Sequence, residues 1–181
     1  KVETATATTR LISSDKVVAI LGALTSTNTA QAIAIADKKE IPVIASVATN
    51  DQLTAKREFA NRVCFTDSFQ GEVVANFAKV QGYKTAVVVV DQSQVYSLGL
   101  AKAFETAFKK NGGEIVKTIK ITSGDKDFKA VVSQIKETNP DFMFLPLYHP
   151  EASMIARQSK QLGLEKPMFS GDGVANQTFI D

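Results

Sequence analysis

Four short stretches hold the side chains best suited to chemistry or to gripping a ligand. Thr25-Ser26-Thr27-Asn28 gathers hydroxyls at the start of a helical pattern. One hydroxyl suffices to cap a helix, and a helix start with spare hydroxyls and free N–H groups also makes a seat for a carboxylate. Val47-Ala48-Thr49-Asn50 is a small polar loop after an apolar run. It reads as a plain turn, or as backbone and hydroxyl contact to a small polar ligand. Tyr96 stands just ahead of a helix, where its ring either covers apolar ligand surface or plugs its own domain. Asp172 lies between Gly171 and Gly173, a turn that favours Asp for local reasons; in a cleft the same carboxylate would be the counter-charge of an ammonium group. Hydroxyls and helix N–H groups on one side and a carboxylate on the other suit a zwitterion.

Enzyme chemistry has little footing. The chain lacks Gly-x-x-x-x-Gly-Lys-Ser/Thr, Gly-x-Gly-x-x-Gly and Gly-x-Ser-x-Gly, so the usual phosphate cradles and nucleophile elbow are missing. The single histidine, His149, sits beside Pro150 with no evident acidic partner, and a surface or cleft-lining place is commoner for such a residue than proton transfer. The single cysteine, Cys64, falls within a strand-like run and is expected to be a small buried hydrophobe; alone it forms no intrachain disulfide. No enzyme activity, cofactor or metal is expected.

Behind these residues stands a pattern that alternates between 3.6-type stretches and short β-branched runs. That alternation marks parallel sheets covered by helices, an α/β fold. Strands are expected at 17–21, 42–46, 62–66, 85–90, 115–121, 142–147 and 167–170. Helices are expected at 2–13, 28–39, 69–80, 98–110, 128–137 and 151–162, the second of them capped by the hydroxyls of Thr25, Ser26 and Thr27. The 181 residues carry 44% hydrophobic and 22% charged side chains and a net charge of +2, the composition of a globular protein with no electrostatic reason to bind nucleic acid. No apolar run approaches the roughly 20 residues that cross a bilayer, so no membrane insertion is expected. The chain opens Lys-Val-Glu and stops where a helix begins, so both ends are expected to be cut.

The order of elements from Asp15 to Asn50 recurs from Pro140 to Asn176: strand, loop, helix, an acidic-Lys-Pro or Lys-Glu-Ile-Pro turn, strand, and a loop of small residues. Two domains of like topology would produce this, as would a chance match of two βαβ units. If the domains are real, the matched loops lie at strand carboxyl ends, where α/β sheets place ligands.

Residues 17–26 (VVAILGALTS), 41–50 (IPVIASVATN), 67–71 (DSFQG), 96–100 (YSLGL) and 171–174 (GDGV) together resemble the periplasmic leucine/isoleucine/valine-binding family, the type I solute-binding proteins of ABC transporters. The resemblance implies a two-lobed fold that closes on one ligand: a first lobe over 1–70 with a hinge crossing near 65–70, and a second over 71–181. It implies capture of a small, aliphatic amino acid, delivery to an ABC transporter permease, and periplasmic or surface-anchored residence. By position, Ser26 and Thr49 would hold the ligand carboxylate, helped by backbone near Thr27 and at Val47. Thr49 and the Val47 carbonyl would also face the ammonium, with Asp172 as its charge partner. Tyr96 would close over the ligand and Tyr148 would line the second lobe. Family members often carry Glu where this chain has Asp172. The same fold could instead take an amide, a urea-like compound or an aromatic acid, or serve a sensory role.

Overall fold

The computed structural model describes residues 2–180. The chain divides into two compact units, Lys1–Asp67 and Ser68–Asp181, each built on a parallel sheet flanked by helices. Among the described residues no helix is long and apolar enough to cross a membrane.

The first unit runs α1 (Val2–Ser13), β1 (Ile20–Leu21), α2 (Ser26–Ala36), β2 (Val43–Ala45) and β3 (Ala60–Arg62), with the strands parallel in the order β1-β2-β3. Its core joins Ile20, Val43, Ala45 and Ala60 of the sheet to Ile33 and Ala36 of α2. The strands are shorter than the apolar runs that predict them. Val17 gives its N–H to the Leu11 carbonyl, closing the turn after α1, so β1 joins the ladder only at Ile20. The run over 62–66 is likewise displaced: the ladder pairs Ala60 to Arg62 with β2, while Val63 is 74% exposed. Cys64 is therefore past the end of β3 and only half-buried, with its Sγ donating to the Ala48 carbonyl at 3.5 Å.

The second unit follows as α3 (Asp67–Val80), whose first residue still belongs to the first unit, then β4 (Thr85–Asp91), α4 (Val95–Lys110), β5 (Glu114–Ile121), α5 (Lys129–Thr138), β6 (Phe142–Leu145), α6 (His149–Gln161), β7 (Met168–Ser170) and α7 (Gln177–Ile180). All pairings are parallel, in the order β5-β4-β6-β7. Successive side chains of a strand face opposite sides, and β4 is apolar on both. Val87 and Val89 pack with Val132, Ile135 and Ile155 of α5 and α6, while Ala86, Val88 and Val90 pack with Ala75, Leu100 and Phe104 of α3 and α4. Because β4 lies between β5 and β6, the connection leaving β4 and the one leaving β6 run to opposite sides. Open α/β sheets usually seat ligands at the strand carboxyl ends where connections diverge in this way.

At the opposite, amino ends of the strands, Asp141 ties β4 to β6. Its Oδ2 accepts the N–H groups of Lys84 at 2.6 Å and Thr85 at 2.8 Å. These bonds, the Lys84 one foremost, hold its carboxyl below the ordinary carboxylate value. A lowered folded-state value means that the stabilisation is complete above the unfolded value near pH 4 and drains as pH falls through the folded one. Asp141→Asn is expected to cost about 1 kcal/mol at pH 7, with the gap to wild type narrowing below about pH 4. Urea unfolding across that range checks it; a gap that widens in acid would refute it.

Candidate ligand-binding site

In the first unit the candidate residues meet where α2 begins. Thr25 caps the helix, its Oγ1 accepting the Asn28 N–H at 3.3 Å. The helix starts at Ser26, earlier than the apolar pattern implies, so Ser26 and Thr27 lie in its first turn instead of serving as caps. Ser26 Oγ accepts the Asn50 N–H at 3.3 Å, joining the start of α2 to the loop after β2. This bond brings Ser26 beside the Thr49–Asn50 backbone, and Ser26 and Thr49 are buried at 1% and 2% exposure. An accepting hydroxyl keeps its own proton available to donate.

The loop itself is pinned along its backbone. The Thr49 carbonyl accepts the Asp67 N–H at 2.9 Å, and the Asn50 carbonyl accepts Arg62 Nη1 at 2.8 Å. Asn50 Oδ1 takes the Gln52 N–H at 3.0 Å, an Asx turn that starts the 3-10 turn at Asp51–Leu53. Val47 stands out from the loop at 44% exposure.

In the second unit the candidates gather at the carboxyl ends of β4, β6 and β7. Tyr96 follows β4 and lies in the first turn of α4, which begins at Val95. Tyr148 follows β6 at the N-cap position of α6, which draws His149 and Pro150 into its first turn. The two tyrosine rings therefore meet at the carboxyl ends of β4 and β6 and stack at 4.9 Å with an interplanar angle of 23°. Tyr96 is 2% exposed, and its hydroxyl accepts the Gly173 N–H at 3.0 Å. Of the two roles open to Tyr96, these contacts are those of a plug that braces the turn carrying Asp172.

That turn is tightly enclosed. Asp172 opens a 3-10 turn over Asp172–Val174. A Cβ on Gly173 would lie 2.6 Å from the Leu147 carbonyl, so only glycine fits there, and one on Gly171 would have to push aside the Leu100, Tyr96 and Gln70 side-chain ends, the Tyr96 hydroxyl at 2.7 Å among them. Gln70, from the first turn of α3, donates Nε2–H to Asp172 Oδ1 at 2.9 Å and accepts the Asp172 N–H on Oε1 at 2.8 Å.

Loops after β4 and β5 brace the start of α4. Buried Asp91 accepts the N–H and hydroxyl of Ser93 and the hydroxyl of Ser123, while its own N–H goes to Ser97 Oγ at 2.8 Å. From α6, Glu151 accepts the Gly124 N–H at 2.9 Å. Among the described residues no three His, Cys, Asp or Glu side chains are placed to hold a metal ion.

Residue types alone marked Ser26, Thr49, Tyr96 and Asp172 but missed Gln70 and the structural part of Asn50. The Asn50 turn had a local signal, an Asn ahead of a short polar helical turn. Gln70 had none, because its partner is 102 residues away in sequence.

Comparison with known proteins places the chain in a family. Residues 2–178 match the periplasmic binding protein family. The chain belongs to that family. It is 33% identical over 173 residues to the Leu/Ile/Val/Thr-binding protein of Salmonella typhimurium and 32% identical over 173 residues to the Leu/Ile/Val-binding protein of Escherichia coli K12. Each alignment covers 95% of this chain and 47% of the relative, so the chain spans about half the length of these periplasmic binding proteins. The crystal structure of a leucine-binding protein from Thermotoga maritima is similar with a TM-score of 0.96 at 38% identity, covering 99% of this chain and 51% of that one. A solute-binding protein from R. palustris in complex with 4-hydroxybenzoate shares the fold, with a TM-score of 0.88 at 21% identity over 96% of this chain and 48% of that one.

Proposed function

We propose that the protein is a non-enzymatic, extracytoplasmic solute-binding protein that captures a small aliphatic amino acid and passes it to an ABC transporter permease. In this reading the first unit recognises the carboxylate, through Ser26, Thr49 and backbone near Thr27 and Val47. The N-terminus of α2 adds its partial positive charge. The second unit recognises the ammonium through Asp172, with Tyr96 holding the Asp172 turn and Tyr148 offering apolar ring surface.

The observation that carries the reading is the carboxylate of Asp172. It is a negative group on a turn that Gln70 and the Tyr96 hydroxyl clamp, with one oxygen held by the Gln70 amide. An α-ammonium is stabilised by such a group, whereas a plain carboxylic acid is repelled by it. The names of relatives at 32–33% identity, which bind leucine, isoleucine and valine, support the same class.

A thermal-shift panel tests this, because a ligand that binds only the native state raises stability by about 2.7 kcal/mol at a hundredfold excess over its Kd. L-leucine, L-isoleucine, L-valine and L-threonine are the expected stabilisers. The acid 4-methylpentanoate, which is leucine without its ammonium, and 4-hydroxybenzoate should leave the midpoint unmoved. Stabilisation by the two acids without any by the amino acids would replace this reading with an aromatic- or carboxylic-acid carrier.

A further inference from the structure

We infer that Gln70 is a positioning residue for Asp172, an inference that rests on the amino-acid reading above. The primary amide of Gln70 engages a single residue with both its ends: Nε2–H donates to Asp172 Oδ1 at 2.9 Å, and Oε1 accepts the Asp172 N–H at 2.8 Å. One bond fixes the carboxylate and the other fixes the backbone that bears it. The side chain has no freedom to rotate without breaking a hydrogen bond to a charged oxygen, the stronger kind. With Oδ1 occupied, Oδ2 takes no hydrogen bond from any described residue, so one oxygen is held by protein and the other is left for a cation.

The neighbours agree with a built clamp. Gly171 lacks the Cβ that would lie 2.9 Å from Gln70 Oε1, and Tyr96 holds the next N–H of the same turn, that of Gly173, at 3.0 Å. Glutamine is the residue this geometry demands. Asparagine is one methylene short of spanning both groups, glutamate would set a second negative charge against Asp172, and leucine would leave both the carboxylate oxygen and the N–H without their partner.

The test is calorimetric titration with L-leucine of wild type, Gln70→Leu, Gln70→Asn, Asp172→Asn and the Gln70→Leu/Asp172→Asn double variant. Gln70→Leu is expected to weaken binding roughly ten- to hundredfold. Gln70→Asn, which is milder and retains an amide, is expected to weaken it in the same direction. In the Asp172→Asn background Gln70→Leu should have no further effect, since a residue that acts through a charge has nothing to act on once the charge is gone. Wild-type affinity in both Gln70 variants, or an equal loss with and without the Asp172 charge, overturns the inference while leaving the amino-acid reading standing. Asp172→Asn with wild-type affinity, or a wild type that ignores L-leucine, overturns both.

Discussion

Asp172→Ala should cost on the order of 2–5 kcal/mol of L-leucine binding, a loss of roughly thirtyfold to several thousandfold by calorimetry. The size follows from what remains: an ammonium withdrawn from water with no charge to meet it, and a Gln70 amide with no carboxylate to hold. Asp172→Glu keeps the charge and lengthens its reach by one methylene, so it should retain far more affinity than the alanine variant. Unchanged affinity in Asp172→Ala would remove the ammonium partner from the proposal, and with it the reason for preferring amino acids over simple acids.

The largest stability effect is expected at Phe104. Its ring is fully buried in the second unit, 4.2 Å from Phe144, 5.2 Å from Phe108 and 6.0 Å from Phe142 between centroids. Phe104→Ala removes a ring from a cluster whose other members are held by sheet and helix backbones, so the space cannot collapse. A loss of about 3–5 kcal/mol is expected. Denaturant unfolding followed by circular dichroism reads it, and a loss below 1 kcal/mol would mean that the cluster refills the space.

Elements buried on both faces were the most legible in the sequence. The valine run of β4 announced itself because no polar residue interrupts it, and the Asn111-Gly112 pair marked the end of α4, where Gly112 indeed takes a φ of +85°. Helix starts were harder. The apolar pattern begins at Leu98, whereas the first turn of α4 is filled by Val95, Tyr96 and Ser97, with Ser97 spending its hydroxyl on the Asp91 N–H. A turn that packs through hydrogen bonds leaves no apolar period to read. The ladders of the first unit are shorter than their apolar runs for a related reason. Val17 and Val63 look like strand interior, yet one closes a turn and the other is exposed.

At the candidate site, residue chemistry was readable and pairing was not. Hydroxyls at a helix start and a carboxylate between glycines have local signatures. The bonds from Asn50 to Ser26 and from Gln70 to Asp172 join residues 24 and 102 positions apart, and nothing in either neighbourhood names the other. The cap assignment shows the same limit: of two adjacent hydroxyls Thr25 caps the helix and Ser26 meets the loop after β2, whose position no local pattern reveals.

All strands in each sheet are parallel, and this sorts the connections into two sets. Ser26 and Thr27, Val47 and Thr49, Gln70, Tyr96, Tyr148 and Asp172 all come after the carboxyl end of a strand. The turns at Gln81–Lys84, Asn111–Gly113 and Asn139–Asp141 enter strands from the other end. A fluorophore or affinity tag grafted at exposed Gln81 or Lys110 would therefore report on the protein from the far side of its own sheet. The binding chemistry could be redesigned residue by residue at one end while the reporter at the other stayed in place.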